Sequence, residues 1–210
     1  MKLYTVPLAP NPTKVMLYIA ERAALGVEMG IEQITVNTVK GRHKEPAHLA
    51  RNPFGTLPVL EVEEGRFILE SHTIMEYLDE RYPDGNMLGS TPVERAFARD
   101  LERIVELRIA THMGTYGHMV RSPLGRAPDP EGAGVALRAM QPAMDYLETL
   151  LSDGRSMLLG ERVSMADCTL QASLQFMRYI EQDILGERPL LRKWDAGYRD
   201  GAAARAVLRW

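Results

Sequence analysis

An α+β chain is predicted, with an N-terminal βαβ-ββα domain over residues 1–82, a linker over 83–90 and an all-α domain over 91–210. Three observations carry this. Short strand-like apolar runs alternate with helically spaced ones as far as residue 82. After Gly89 no strand-like pattern recurs. Between the two regimes, Pro83-Asp84-Gly85-Asn86 concentrates residues that end helices and make turns.

Taken in order, residues 2–6 read as a strand, 13–25 have the apolar spacing of a helix, 31–36 return to strand and 45–51 form a short helix. Residues 57–62 and 66–69 flank Glu63-Glu64-Gly65, the signature of a hairpin. A helix follows over 71–82, with Ile74, Tyr77 and Leu78 on one face. This is the order of a thioredoxin-like domain. Its first two strands pair in parallel, which requires a right-handed crossover through the first helix.

In the second half, residues 91–120 carry one long helical periodicity, with Thr91 as cap and Pro92 as the first helical residue. The Pro- and Gly-rich stretch 122–134 breaks it. Residues 135–151, 165–182 and 190–198 supply further helices. Ser164-Met165-Ala166-Asp167 is a capping box in which an Asp stands where Glu is usual, and Val163 and Cys168 occupy the positions of a hydrophobic staple. Such a cap contributes about 1 kcal/mol. Cys168 is therefore read as structural, a small apolar packer rather than a reactive thiol.

Composition narrows the function classes. A 45% apolar content over 210 residues allows a sizeable core, in one large domain or two small ones. The net charge of −3 comes without a basic stripe, which argues against nucleic acid as a partner. There is no apolar stretch of membrane-spanning length, and the opening residues, interrupted by Pro7, read as a strand rather than a signal peptide. A lone cysteine has no internal disulfide partner, so a reducing, cytoplasmic setting is expected. His112 and His118 lack the companions of a ligand set, so no metal is assigned.

The most informative stretch is Thr56-Leu57-Pro58-Val59-Leu60, followed by Glu70-Ser71-His72-Thr73-Ile74. Pro58 gives no N–H to a ladder and so marks a sheet edge or a cis turn, leaving the backbone of Leu57 able to pair with an extended peptide. The amides that open the helix at Ser71 form a carboxylate site, and the Ser hydroxyl adds a donor. Glu70 is placed to meet an amine. Together these parts describe a receptor for a short peptide with a free carboxylate and a free amine.

These residues resemble the glutathione S-transferase family over essentially the whole chain, in a combination of motifs more specific than any one of them. The resemblance implies that Leu57, before Pro58, bonds the cysteinyl part of glutathione and that Glu70 and Ser71 hold its γ-glutamyl end. It also implies a cytoplasmic two-fold homodimer, the first domain of one subunit lying against the second domain of the other. The Ser164 box matches a similar Ser-x-x-Asp box in the family's second domain.

Chemistry belongs where the first strand hands over to the first helix, at Pro7-Leu8-Ala9-Pro10-Asn11-Pro12-Thr13-Lys14. Asn followed by Pro fits an N-cap and first helical position, with the side-chain amide of Asn11 still able to donate outward. A thiolate there feels the positive helix terminus and its orphan N–H groups. A terminus effect of up to about 2 kcal/mol lowers a thiol pKa by roughly 1.5, and a charge-assisted hydrogen bond adds a comparable amount. No general base is then required. In the serine-type members the hydroxyl that contacts the sulfur falls at the position of Ala9, counting back from Lys14, so it is missing here. Pro10-Asn11 followed by Lys14 resembles the bacterial Nu-class pattern Thr-Pro-Asn-x-x-Lys, whose asparagine attends the sulfur and whose members favour disulfide reduction. Tyr4 is a substitute hydroxyl, but it lies inside a strand and reads as core.

Lys40-Gly41-Arg42-His43-Lys44 reads as a solvated turn or as a binding segment. It is similar to the Lys-Gly-x-His-Lys segment of theta-like members, in which His and Lys hold the glycyl carboxylate; His43 and Lys44 match. By resemblance the second-substrate pocket falls to Leu8, Arg108, His112, Met113, Tyr116 and Met119, with Arg108 facing an anionic substrate or a second glutathione. Two readings follow. In the first, glutathione is a co-substrate whose thiolate is activated for attack on a small electrophile or a disulfide. In the second, the same fold binds glutathione without catalysis, for sensing or interaction.

Overall fold

In a computed structural model, which describes residues 1–209, the first half folds as βαβ followed by ββα and the second half is helical. The strands are β1 (Lys2–Thr5), β2 (Glu32–Thr35), β3 (Val59–Glu63) and β4 (Arg66–Ile68). They form one sheet in the order β2-β1-β3-β4. β1 pairs in parallel with β2 and antiparallel with β3, Leu3 standing opposite both Gln33 and Leu60. β3 and β4 close through Glu64-Gly65, where Gly65 supplies a φ of +74°.

The helices of this half are α1 (Pro10–Ala24), α2 (Pro46–Leu49) and α3 (Ser71–Arg81). A 3-10 turn, Arg42–Lys44, precedes α2. The second half contains α4 (Pro92–Val105), α5 (Thr111–Arg121), α6 (Pro130–Leu150), α7 (Met165–Tyr179), α8 (Pro189–Arg199) and α9 (Ala202–Val207). No helix among the described residues is long and apolar enough to cross a membrane.

Several features differ from the sequence expectation. The long helix over 91–120 is α4 and α5 joined through a π-helical segment, Glu106–Ala110, whose wider turns change which side chains share a face. α6 begins at Pro130 rather than 135, because Asp129 accepts the Gly132 N–H at 3.0 Å and Pro130 suits the first turn, so Gly132 and Gly134 fall inside the helix. α9 was not expected: its run of alanines has no amphipathic period to read. The Ser164 box forms as read, with Ser164 and Asp167 exchanging bonds. Asp167 Oδ1 also accepts from Trp194 Nε1 at 2.8 Å and from the Leu158 N–H at 2.9 Å. Cys168 is fully buried and its thiol pKa is pushed up by desolvation, as a structural role requires. Thr91 caps α4 in a second box with Glu94, whose carboxyl is drawn down to about 2 by the Thr91 and Ser90 backbone amides.

One apolar core spans the two halves. Leu3, Val15, Leu17, Tyr18, Leu60, Ile74 and Leu78 of the α/β part pack with Met165, Cys168, Ala172, Tyr198, Ala204 and Leu208 of the helical part. Each fully buried large aliphatic or aromatic side chain there contributes about 1.5–3 kcal/mol. A second core lies inside the helical half, around Val105, Ile109, Met113, Met144, Leu147 and Leu170. Tyr4, Leu57 and Val59 form a small cluster of their own, so Tyr4 is a packed residue, its hydroxyl on Glu61 at 3.0 Å.

The junction also holds buried charge. Lys14 on α1 is 1% exposed and donates to Glu106 at 2.8 Å, with Glu102 at 4.0 Å. Thr169 of α7 donates to Glu102 at 2.9 Å. His72 Nδ1 lies 3.0 Å from Glu102 Oε2. That contact is off the line of a hydrogen bond, so neither atom has a hydrogen-bond partner among the described residues and the attraction is charge on charge. Burial opposes a charge on His72, but Glu102, Glu76 and Glu106 outweigh it and raise its pKa. A raised pKa means stability that is complete below the unfolded value of about 6.5 and is lost as pH rises through the folded one. In urea titrations the advantage of wild type over His72→Gln should therefore be larger at about pH 6 than at about pH 8. An advantage that stays constant across that range would remove the histidine from this account.

Candidate functional site

The strand directions bring four of the predicted segments to one end of the sheet. β1 and β2 are parallel and β3 is antiparallel to both, while β4 runs antiparallel to β3 and so in the direction of β1. The carboxyl ends of β1, β2 and β4 and the amino end of β3 thus lie together. From them lead, respectively, the loop to Asn11, the segment with His43 and Lys44, the step to Glu70 and Ser71, and the approach through Leu57 and Pro58. These residues are scattered over sixty positions of sequence and share one edge for a topological reason.

At the first of these ends the expected helix cap is corrected. α1 starts at Pro10, Ala9 holds the cap position without a side-chain bond, and Thr13 N–H bonds the Ala9 carbonyl at 3.0 Å. Both Pro10 and Pro12 satisfy the preference for proline in a first turn, and the helix takes the earlier one. Asn11 is consequently a second-position residue with an exposed side chain. Prolines at the first and third positions have no N–H, so among the first three helical positions the backbone donor belongs to Asn11. Its N–H and side-chain amide are what this terminus offers an anion. Leu8, just before it, holds a φ of +71°, a left-handed conformation uncommon for a branched side chain.

At the amino end of β3 the Leu57–Pro58 peptide is cis. The ladder to β1 begins at Val59, opposite Tyr4, so the Leu57 peptide stands outside the register, in a turn and not on a sheet edge. Two residues that the sequence reading passed over hold this turn. His48 Nε2 and Asn52 Nδ2 both meet the Thr56 carbonyl at 3.0 Å, and Asn52 also donates to the Thr56 hydroxyl at 2.9 Å. Both are buried. Nothing local marks them, since their partner lies four to eight residues away in an irregular loop.

The basic segment packs onto the same loop. Lys44 donates to the Phe54 carbonyl at 3.2 Å. Gly55, at φ +60°, leaves the room Lys44 needs: a Cβ there would lie 2.8 Å from Lys44 Nζ and 2.9 Å from the His43 carbonyl. His43 Nδ1 is buried without a hydrogen-bond partner. Desolvation, with Lys44 and His48 nearby, holds the His43 pKa down, so the ring is a neutral donor or acceptor rather than a cation. Opposite, Ser71 is the buried first residue of α3, while Glu70 precedes it with an exposed carboxylate that makes no cap bond.

Beside Asn11 opens a cleft of about 790 Å³, walled by Pro10 and Asn11 on one side and by α4, the π segment and α5 on the other. The helical wall is formed by Arg103, Leu107, Thr111 and Thr115 and by Glu106, Ala110, Gly114 and His118, with Met119 beyond and Phe176 below. Both rows step by four residues. In a regular α-helix that step drifts by about 40° each time, and the π segment takes up part of the drift. Of the residues expected to line a pocket here, Met119 does. Arg108, His112 and Tyr116 lie one residue out of phase with the 107, 111, 115 row, and Leu8 is not part of the lining. Met113 is fully buried in the helical core, and Tyr116 packs against that core with its hydroxyl on Gln182 at 2.9 Å. The wall residues are mostly small or threonine, types that give no chemical signal in a sequence.

His118 is the titratable group of this wall. Its Nδ1 lies 3.0 Å from the Ser122 hydroxyl, and its ring tilts against Phe176 with centroids 5.4 Å apart. Burial, then the charge of Arg126, lowers its pKa. A neutral imidazole with Nδ1 engaged keeps Nε2 able to accept a proton.

Two family models match this chain: the glutathione S-transferase N-terminal domain over residues 1–80 and the glutathione S-transferase C-terminal domain over residues 94–197. Glutathione S-transferase 2 of Saccharomyces cerevisiae is 32% identical over 200 residues, covering 92% of this chain and 83% of that protein. The maleylacetoacetate isomerase of Pseudomonas aeruginosa is 36% identical over 107 residues, covering 50% of this chain and 48% of that protein. Among solved structures, Gtt2 from Saccharomyces cerevisiae superposes with a TM-score of 0.85 at 29% identity, covering 99% of this chain and all of that one (100%).

Proposed function

Because the chain belongs to the glutathione S-transferase family, we propose that the sheet-end site binds glutathione and that Asn11 steadies its thiolate for attack on an electrophilic carbon or a disulfide. A glutathione-dependent transferase or isomerase activity is what the family relatives support. The observation that carries the finer reading is the convergence, at one sheet end, of Asn11, His43 with Lys44, Leu57 before the cis Pro58, and Glu70 with Ser71.

In this reading the peptide backbone of the ligand pairs with Leu57. Glu70 meets its amine and Ser71 its γ-glutamyl carboxylate, while His43 and Lys44 hold the glycyl carboxylate. The sulfur faces the N–H and side-chain amide of Asn11. His118 is the acceptor the neighbouring cleft offers for the thiol proton. The electrophile occupies that cleft. The motif at Pro10-Asn11 and Lys14 favours a Nu-like assignment, and with it disulfide reduction beside conjugation. A cytoplasmic homodimer is the assembly proposed, which light scattering tests directly.

Ala9 favours a second reading, in which the protein binds glutathione without turning it over, because the loop offers no hydroxyl to the sulfur at that position. Side-by-side assays with a chloronitrobenzene and with hydroxyethyl disulfide separate the two. Turnover of either supports the enzyme; turnover of neither, with glutathione still bound, supports the binding protein. In calorimetry Glu70→Ala and Ser71→Ala should each weaken glutathione binding by about tenfold, the scale of one lost charge-assisted hydrogen bond. Wild-type affinity in both variants would remove the proposed site.

A further inference from the structure

The charges that face the cleft beside Asn11 are paired off, with one exception. Arg103 donates to Glu106, which also accepts Lys14 at 2.8 Å. Asp129 accepts the Gly132 N–H at 3.0 Å and sits at the amino end of the 21-residue α6, where a carboxylate is stabilised. His118 is held neutral by burial and by the nearby Arg126. Arg126 itself lines the cleft, is exposed, and forms neither a hydrogen bond nor an ion pair among the described residues.

The loop that carries Arg126 is tied down. Asp129 N–H bonds the Met119 carbonyl at 2.9 Å, Gly125 N–H bonds the Ser122 carbonyl at 3.1 Å and Leu124 N–H meets the Ser122 hydroxyl at 3.2 Å. These bonds fold residues 122–129 back onto α5, so the guanidinium is presented from a fixed base at the cleft's rim. Among the small and threonine residues of the wall stand three large apolar side chains. Leu107, although 52% exposed, faces the same cleft as Met119 and Phe176.

We infer that the second substrate joins an apolar body to a carboxylate, the body lying on Met119 and Phe176 and the carboxylate taken by Arg126. The inference rests on the cleft receiving the electrophile, as proposed above. A guanidinium presents a planar fork of donors that matches two carboxylate oxygens at once, and this one has no competing partner to displace. Arg108, expected from sequence to meet an anion, lies outside the lining.

The test uses the full-length protein, glutathione and two electrophiles, a chloronitrobenzene and the corresponding chloronitrobenzoate. With either, the thiolate sulfur forms a bond to the ring carbon, the carbon–chlorine bond breaks, chloride leaves with the electron pair and the thiol proton passes by way of His118 to buffer. The readout is the ratio of kcat/KM, benzoate over neutral compound. Arg126→Gln should lower that ratio by about two- to fivefold, the scale of a solvent-exposed ion pair, and Arg126→Lys should restore part of it. Added salt should lower the wild-type ratio, since the contact is solvent-exposed. A ratio unchanged in Arg126→Gln overturns the inference.

Calorimetry with the two corresponding glutathione conjugates reads the same preference without chemistry and decides the matter if neither compound is turned over. Failure of the glutathione reading has a different signature. There, wild type gives no heat with glutathione or with either conjugate. Failure of the inference alone leaves those heats intact and insensitive to residue 126.

Discussion

Asp79→Ala should lower the stability of this protein by about 3–5 kcal/mol, the cost of removing one partner from a buried ion pair. Arg22 on α1 is fully buried and meets Asp79 of α3 at 2.7 Å. Asp79 also accepts from the Tyr18 hydroxyl at 2.9 Å, from Met87 N–H at 2.9 Å and from Leu88 N–H at 3.1 Å. Arg22 in turn donates to the Tyr82 carbonyl at 2.5 Å and the Asp84 carbonyl at 2.8 Å. The variant leaves a buried guanidinium without its counter-charge and two linker amides without an acceptor. Burial of the Tyr18 hydroxyl raises its pKa, and it does not ionise to take the place of the lost carboxylate. Urea unfolding monitored by far-UV circular dichroism is the measurement. A loss below about 1 kcal/mol would show that the linker is not fastened through this pair.

Asn11→Ala should cut kcat/KM at least tenfold, with a smaller change in glutathione affinity. A hydrogen bond to a charged atom is worth about 1.5–3 kcal/mol, which corresponds to a ten- to hundredfold change in rate. The residual N–H of residue 11 survives the substitution, which limits the loss. Asn11→Asp should be worse than Asn11→Ala, because it sets a carboxylate against the developing thiolate. Equal rates in all three proteins would leave the sulfur without a partner at α1 and favour the reading without catalysis. Asn11 is exposed, so the substitutions should leave the melting temperature close to wild type.

The fold was largely legible because its signals are local. The Ser164 box occupies four adjacent residues, the β3-β4 turn contains a glycine where positive φ is needed, and Thr91-Pro92 announces a helix start. The segments that meet at the sheet end were legible as separate motifs, and topology then brought them to one edge. Where reading failed, two local rules competed or the cause lay elsewhere in the chain. Pro10 and Pro12 both suit a first helical turn, and nothing nearby decides between them. The π segment between α4 and α5 leaves no mark on apolar spacing, yet it re-phases the wall of the cleft. His48 and Asn52 act on a carbonyl that no pattern connects to them. Arg126 sat in a stretch whose prolines and glycines said only that a helix ended.

The apolar core shared by α1 and the sheet with α7, α8 and α9 makes the two halves poor candidates for independent expression. A fragment ending before Thr91 would display Val15, Tyr18 and their neighbours to water, a sticky face that invites precipitation. Chimeras that graft the first half of one relative onto the second half of another should solubilise only when the matching side of α7 travels with the graft. In this chain a gene-level cut at the linker falls between two stretches of sequence, but not between two separable pieces of protein.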